Sequence, residues 1–500
     1  MTMEAGGGDG NLKGAVARTL KWNVIDKVAS QLLYAVTGVV LANILTDEEF
    51  GLVGAILVFQ AFAQLFVDGG FASALLQRKS PTHLDYSTVL WFNMAMAAGI
   101  YVVLFFAAPL IASIFQNDLR IIPMSRVMFT AFIVNAAAIV QTNLLMKRMD
   151  VRMVAVSNSA GLFAGSVIGI TLAVCGFGAW AIVWQTVTLA VVRTVILWAT
   201  SSWRPLWRFS WRVLRSFFAV GSGVMTTSLL NTIFQNIYSL LIGNRASLAA
   251  LGYFSQADKW SKMGVMSLSQ VLTSSFLPLL AEVQDDPGRY RRICGKTHRF
   301  TAYLAFPAMG LLTVMAAPIF HTLFGDKWDI SIPLFQILCL RGIFTVLSLL
   351  YSNYILSLGR SRLLVVSEAV RDVAAILAIV LTFGALSRGT EGLTLFLWGQ
   401  FAASVITWGV TLWFAVRVTG RRLGAFIADL APYIALTLVA VVPCVWVAGM
   451  ELHPLATCVG MALAFGAVYL GGNMLLGSTV QRDVLGYLLH RKVCPPRTRY

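Results

Sequence analysis

The stretch AAPLIASIFQND, Ala107 to Asp118, returns downstream as AAPIFHTLFGDK, Ala316 to Lys327. Setting Pro109 on Pro318 also sets Phe115 on Phe324, an offset of 209. The match continues at an offset of 210, with Pro123 on Pro333, Asn143 on Asn353 and Arg152 on Arg362. Upstream, ANILTDEEFG (Ala42 to Gly51) sits against GNRASLAALG (Gly243 to Gly252) at an offset of 201, pairing Asn43 with Asn244 and Gly51 with Gly252. A unit of about 200 residues is too long for a solenoid repeat of 20 to 50 residues, so the pattern predicts two duplicated halves.

Composition says where those halves reside. A chain with 58% hydrophobic residues, 12% charged residues and a mean hydropathy of +0.76 cannot hide its apolar surface in a soluble core. Apolar runs long enough to cross about 30 Å of hydrocarbon recur along nearly the whole length. Fourteen are expected, which makes the fold class an all-α polytopic membrane protein. The polar, glycine-rich start MTMEAGGGDGNLKG predicts a first span that serves as its own insertion signal, with no cleavable leader. The six cysteines are scattered, with no C-x-x-C pair and no histidine at ligand spacing, and so predict neither a metal site nor a disulfide framework.

Positive charge sets the orientation. With the N-terminus in the cytoplasm, 27 of the 38 Lys and Arg fall in cytoplasmic segments and four in outer loops (Arg120, Arg245, Lys327, Arg388). That asymmetry is the positive-inside pattern of an even number of spans with both ends cytoplasmic. The net charge of +16 therefore needs no nucleic acid and faces anionic membrane lipid instead. Between the halves, WRPLWRFSWRVLRS sets Trp203, Trp207 and Trp211 four residues apart, each followed by an arginine (Arg204, Arg208, Arg212). An aromatic stripe beside a cationic one at that period predicts an amphipathic helix over 201–215 lying in the membrane interface.

Charges within spans carry the functional signal, because a charge at bilayer depth is costly and normally faces a partner or a watery cavity. Seven are basic: Lys27, Arg126, Arg193, Lys259, Lys262, Arg341 and Arg371. The acidic ones are fewer: Asp26, Asp68, Asp258, Glu368 and Asp372. Glu368, Arg371 and Asp372 lie within one helical turn and read as an intrahelical ion pair. Arg193 and Arg126 sit near span ends, where a long side chain snorkels. Polar stripes mark the first two spans of each half: Asn23, Asp26, Ser30, Tyr34 and Thr37 in the first span, and Gln256, Lys259, Lys262 and Ser267 in the eighth. A repeat-related pair of halves would gather these faces around one central cleft, the usual place of a transport site. Lys259, Lys262 and Arg341 are the leading candidates to contact an anion, and Asp26, Asp68 and Asp258 the candidates for ion coupling or gating.

The segments FGLVGAILVFQAFAQLFVDGGFASALLQRK, FQNDLRIIPMSRVMFTAFIVNAAAIVQTNLLMKRMDVRM and LGYFSQADKW resemble the polysaccharide-exporter (Wzx-type) branch of the multidrug/oligosaccharidyl-lipid/polysaccharide flippase superfamily, over about residues 15 to 480. The resemblance implies a disordered cytoplasmic start (1–18), a first six-helix lobe (19–200), the interfacial linker (201–215), a second lobe (216–418), an added helix pair (419–480) and a basic tail (481–500). It also implies a transporter of the bacterial plasma membrane. Such a protein turns a polyprenyl-pyrophosphate-linked oligosaccharide from the cytoplasmic to the outer face by alternating access around a cationic cavity. Lys27, Lys259, Lys262, Arg341 and Arg126 would touch the pyrophosphate or acidic sugars, since Lys and Arg offer charge and donors to phosphate oxygens. No cofactor is implied beyond coupling to a proton or sodium gradient. The implied partners are the lipid-linked oligosaccharide, a glycan polymerase and other envelope proteins, with a monomer as default state.

Two rivals stand beside this reading. A cation-coupled multidrug exporter of the same superfamily would use Asp26 or Asp68, but a cationic drug calls for more carboxylates than ammonium groups. A membrane glycosyltransferase or polymerase could keep Asp47, Glu48 and Glu49 as catalytic acids, yet the outer loops are too short to build an acceptor site, and the acidic run reads as a solvated loop. An ATP-driven pump is excluded by CGKTH, where Tyr290 stands in place of the first glycine of a phosphate loop.

Overall fold

The computed structural model describes residues 8–68, 75, 78, 80–148, 150–450 and 452–488, and every regular element among them is helical. Two compact units divide the chain, Met1–Gly252 and Tyr253–Tyr500. The helices are α1 (Gly8–Ile44), α2 (Asp47–Asp68), α3 (His83–Ile114), α4 (Ile121–Met128), α5 (Thr130–Lys147), α6 (Val151–Val174), α7 (Trp180–Thr200), α8 (Trp211–Arg245), α9 (Leu248–Glu282), α10 (Pro287–Val314) and α11 (Ala316–Leu323). They continue with α12 (Ser331–Ser357), α13 (Ser361–Thr382), α14 (Thr390–Thr419), α15 (Leu423–Ala448), α16 (Pro454–Leu475) and α17 (Thr479–Leu488). Among the described residues, eleven spans are long and apolar enough to cross a membrane, or twelve if the bent pair α10–α11 is one crossing. The protein is thus a multi-pass membrane protein. Among the described residues a helix lies in each of the fourteen expected runs, but length and apolarity alone support fewer crossings than fourteen. One reason is visible in α13, which carries Arg362, Glu368, Arg371 and Asp372.

In the first unit, α6 packs on both α1 and α7. Gly161, Gly165 and Gly169 recur every fourth residue along α6. A Cβ added at Gly161 would stand 2.8 Å from Leu189 O, and one at Gly165 2.7 Å from Gln185 O, so the absent side chains let two backbones touch. Closer still is the meeting of α2 with the first turn of α9. A Cβ on Gly51 would overlap Leu248 O, and a Cβ on Gly252 would overlap Asp47 O. These four residues are two repeat-matched pairs, so the contact is reciprocal. The acidic run expected as a solvated loop starts α2 instead: Thr46 N donates to Glu49 Oε2 (2.8 Å) and Glu49 N to Thr46 Oγ1 (3.3 Å), a capping box. Glu48 and Asp118 both pair with Arg120, and that guanidinium holds the Asp118 carboxyl below the usual carboxylate range.

In the second unit, α14 packs on α12 and α13, and α10 packs on α12 and on α15 of the added pair. Asp286 caps α10 by accepting from Gly288 N and Arg289 N, with Pro287 in the first turn, where its missing N–H costs nothing.

One pair of duplicated prolines keeps its place in both copies and the other does not. Pro123 and Pro333 each take the third position of a helix, in α4 and α12, and Phe115 and Phe324 each close one and are buried. After them the chain turns left-handed at Gln116 and Asn117 (φ 59° and 58°) and at Gly325 (φ 75°). Pro109, however, lies inside α3, while Pro318 stands third in α11, beyond a break at Met315 where the pair α10–α11 bends by 61°. A proline inside a helix frees the carbonyl four residues before it. For Pro109 that carbonyl belongs to Phe105, and Arg126 Nε donates to it at 3.3 Å. Gln336, the repeat match of Arg126, donates to Thr313 O at 3.1 Å, one residue before the match of Phe105.

Four expectations about segments change. The helix expected over 201–215 forms only from Trp211 onward, and residues 201–210 make an extended strap. Pro205 donates no N–H and pushes Arg204 away from helical geometry. The strap's backbone bonds instead to side chains on one face of α3: Leu206 N to Ser87 Oγ (2.9 Å), Ser210 N to Thr88 Oγ1 (3.3 Å), Trp91 Nε1 to Leu206 O (2.8 Å), and His83 Nε2 to Arg204 O (2.7 Å). The start expected to be disordered over 1–18 is helical from Gly8, because no proline precedes Pro81 to interrupt α1; residues 1–7 lie outside the described ones. Of the expected tail 481–500, residues to Leu488 belong to α17 and the rest lie outside the described residues. The boundary between compact units also differs from the expected linker, since α8 packs on α2 and α3 and so belongs to the first unit.

Candidate functional site

The polar stripe of α1 splits between two faces. Asp26 accepts from Ser30 Oγ (3.3 Å) and from Asn158 Nδ2 of α6 (3.4 Å), and Thr37 Oγ1 bonds Ser166 Oγ (2.6 Å). These groups are turned toward α6. Lys27, Gln31 and Tyr34 occupy the exposed face of the same helix. Asp68 ends α2, and its side chain lies outside the described residues.

On α9, Lys262 Nζ pairs with Asp258 Oδ2 at 2.6 Å, one helical turn apart. The pair cancels two charges assigned separately to anion binding and ion coupling. Lys259 is half-buried, its ammonium 5.3 Å from the Trp260 ring centroid. Arg341 on α12 is half-buried and its guanidinium has no carboxylate partner among the described residues. A Cβ on the neighbouring Gly342 would come 2.5 Å from Val265 Cγ2, so α12 meets α9 beside Arg341 and within a turn of Lys262.

Arg126 is committed elsewhere. Besides its bond to Phe105 O, its guanidinium lies 4.2 Å from the Phe105 ring centroid. Arg371 pairs with Glu368 and with Asp372 (3.0 Å), the intrahelical arrangement that the spacing predicts. Of the linker residues, Trp203 is buried against Tyr86 and His83, whereas Arg204, Trp207, Arg208, Trp211 and Arg212 are exposed.

One cluster was missed. Asp429 on α15 accepts from Arg421 Nη2 (2.8 Å) and Arg299 Nη1 (3.1 Å), with His298 Nδ1 at 3.6 Å. His298 is fully buried and bonds Tyr351 Oη at 2.9 Å through Nε2. Tyr354 Oη donates to Cys294 O (2.9 Å), and Tyr290 Oη meets Ser357 Oγ (2.8 Å). This network ties α15 to α10 and α12. In the sequence these arginines count among the cytoplasmic charges and Asp429 lies just inside an apolar run; the eight-residue spacing of Arg421 and Asp429 across the helix start is the one signal that could have linked them. A smaller group, His321, Asp326 and Asp329, brings ligand-type atoms within 4.8 Å, but these side chains are not buried and His321 already bonds Asp329.

Residues 40–333 match the family model described as polysaccharide biosynthesis protein. The chain is 27% identical over 424 residues to the succinoglycan biosynthesis transport protein ExoT of Rhizobium meliloti (strain 1021), covering 84% of this chain and 82% of that one. It is 25% identical over 412 residues to the teichuronic acid biosynthesis protein TuaB of Bacillus subtilis (strain 168), covering 81% and 83%. In structure it resembles the lipid II flippase MurJ in an inward closed conformation, with a TM-score of 0.70 at 14% identity, over 92% of this chain and all of that one.

Proposed function

The chain belongs to the polysaccharide biosynthesis protein family and has the fold of the oligosaccharide-flippase superfamily, and on that premise we propose that it moves a polyprenyl-pyrophosphate-linked oligosaccharide across the bacterial plasma membrane for polysaccharide synthesis. The observation that carries this reading is the family match across 40–333, supported by similarity over most of the chain to a succinoglycan transport protein. The excess of basic over acidic residues within the spans fits an anionic cargo, because guanidinium and ammonium groups donate to phosphate oxygens. Lys259 and Arg341 are the side chains we assign to that contact. Lys262 is neutralised by Asp258, and Arg126 serves the backbone of α3. Asp26, held by Ser30 and Asn158, is the group through which a proton or sodium gradient would act. We assign both termini to the cytoplasm because the Lys and Arg excess of the connecting segments then follows the positive-inside pattern.

The test is flipping of a fluorescent polyprenyl-pyrophosphate oligosaccharide in proteoliposomes. The wild-type protein is expected to flip it, and Arg341→Ala and Lys259→Ala to lose most of the rate while remaining folded, with Arg126→Gln nearly unaffected. Undiminished flipping by both alanine variants overturns the assignment of those residues. A wild-type protein that moves no lipid but exchanges a cationic dye against protons overturns the function.

A further inference from the structure

We propose that the strap 201–210, together with the first turn of α8, is a binding surface for anionic phospholipid head groups of the leaflet it borders. The strap begins one residue after α7, a membrane-spanning helix, ends, which puts it at the level of the head groups. Its side chains are sorted. Trp203 is buried beneath it, while Trp207 and Trp211 are 88% and 75% exposed. The Trp207 ring is held 4.5 Å from that of Trp91 on α3. Amphipathic rings fixed at that depth suit the boundary between head groups and acyl chains.

The arginines supply the selectivity. Arg208, Arg212 and Arg215 are exposed, and none has a carboxylate within ion-pair distance among the described residues. Sequence accounts for this: from Asp150 to Asp258 the chain contains no acidic residue between them. Three unneutralised guanidiniums beside two projecting tryptophans complement phosphates anchored in a bilayer rather than a soluble anion, which would have no use for the indoles. The hydrogen bonds to Ser87, Thr88, Trp91 and His83 hold the strap in this conformation, so little ordering is needed when lipid binds.

The experiment uses the full chain in nanodiscs and reads tryptophan quenching by chain-brominated lipids. The contribution of Trp207 and Trp211 is the difference between wild type and Trp207→Phe/Trp211→Phe. Brominated phosphatidylglycerol should quench that signal more than brominated phosphatidylcholine at equal mole fraction. The triple variant Arg208→Gln/Arg212→Gln/Arg215→Gln, which alters exposed side chains only, should remove the preference while leaving quenching by the zwitterionic lipid. Equal quenching by both lipids in the wild type, or a preference that survives the triple variant, overturns the proposal. So does relief of phosphatidylglycerol quenching by a small fraction of polyprenyl pyrophosphate, which would make the strap a site for the cargo head group.

Discussion

Removing Arg126 should reveal a debt created by Pro109. The proline leaves Phe105 O without its helical donor, and Arg126 Nε fills the vacancy at 3.3 Å. A charged hydrogen bond of this kind contributes about 1.5–3 kcal/mol and the contact with the Phe105 ring about 0.5–1, so Arg126→Leu, which loses both, should destabilise the protein by about 2–4 kcal/mol. Arg126→Gln keeps an N–H donor, as Gln336 does in the second half, and should lose only the contact with the Phe105 ring, about 0.5–1 kcal/mol. The decisive variant is Pro109→Ala, which restores the N–H of residue 109 to Phe105 O. In that background Arg126→Leu should also cost only the ring contact, leaving a coupling of about 1.5–3 kcal/mol between the two positions. Unfolding in mixed micelles titrated with sodium dodecyl sulphate reads all four corners of the cycle. The reasoning fails if Arg126→Leu costs the same with and without the proline, because Arg126 would then be doing something unrelated to the freed carbonyl.

Gly51→Ala and Gly252→Ala should each destabilise the first unit by at least the 1–3 kcal/mol typical of overpacking, because the obstructing atoms are backbone and cannot rotate away; Gly99→Ala, where nothing lies within 4 Å, is the control, and an equal effect at all three sites would refute the close crossing. Asp429→Asn should cost about 2–3 kcal/mol, below the 3–5 of a fully buried pair because the Arg299 side chain is partly exposed. Paired substitution of Asp429→Asn with Arg421→Gln should recover part of that loss, and a strictly additive double variant would show that the two do not interact.

The duplication was legible because prolines, a helix-closing phenylalanine and small glycines mark backbone events that survive divergence. Composition likewise reveals a membrane protein, since no solvent other than lipid accepts so much apolar surface. The strap was not legible. Trp203, Trp207 and Trp211 have helical spacing, and what defeats the helix is Pro205 together with four side chains more than a hundred residues upstream on α3. Side-chain pairing was legible only within one helix: the Arg371 cluster followed from spacing alone, whereas Asn158 against Asp26 and Asp429 against Arg299 depend on which helices become neighbours. Arg126 and Lys262 looked like candidates for cargo contact because a sequence displays charge but not the carbonyl or carboxylate that consumes it.

The pairing of Arg126 with Gln336 turns the duplication into an experiment already performed. A neutral amide does in one copy what a guanidinium does in the other, so the shared architecture does not require a cation at that place. The same comparison can be applied to the remaining cations. By the offsets of their own segments, Lys259 corresponds to Val58 and Arg341 to Ala131, both buried and apolar in the first unit. The first half therefore packs without a charge at either position. Lys259 and Arg341 are thus departures from symmetry, placed where the duplicated architecture itself asks for no cation.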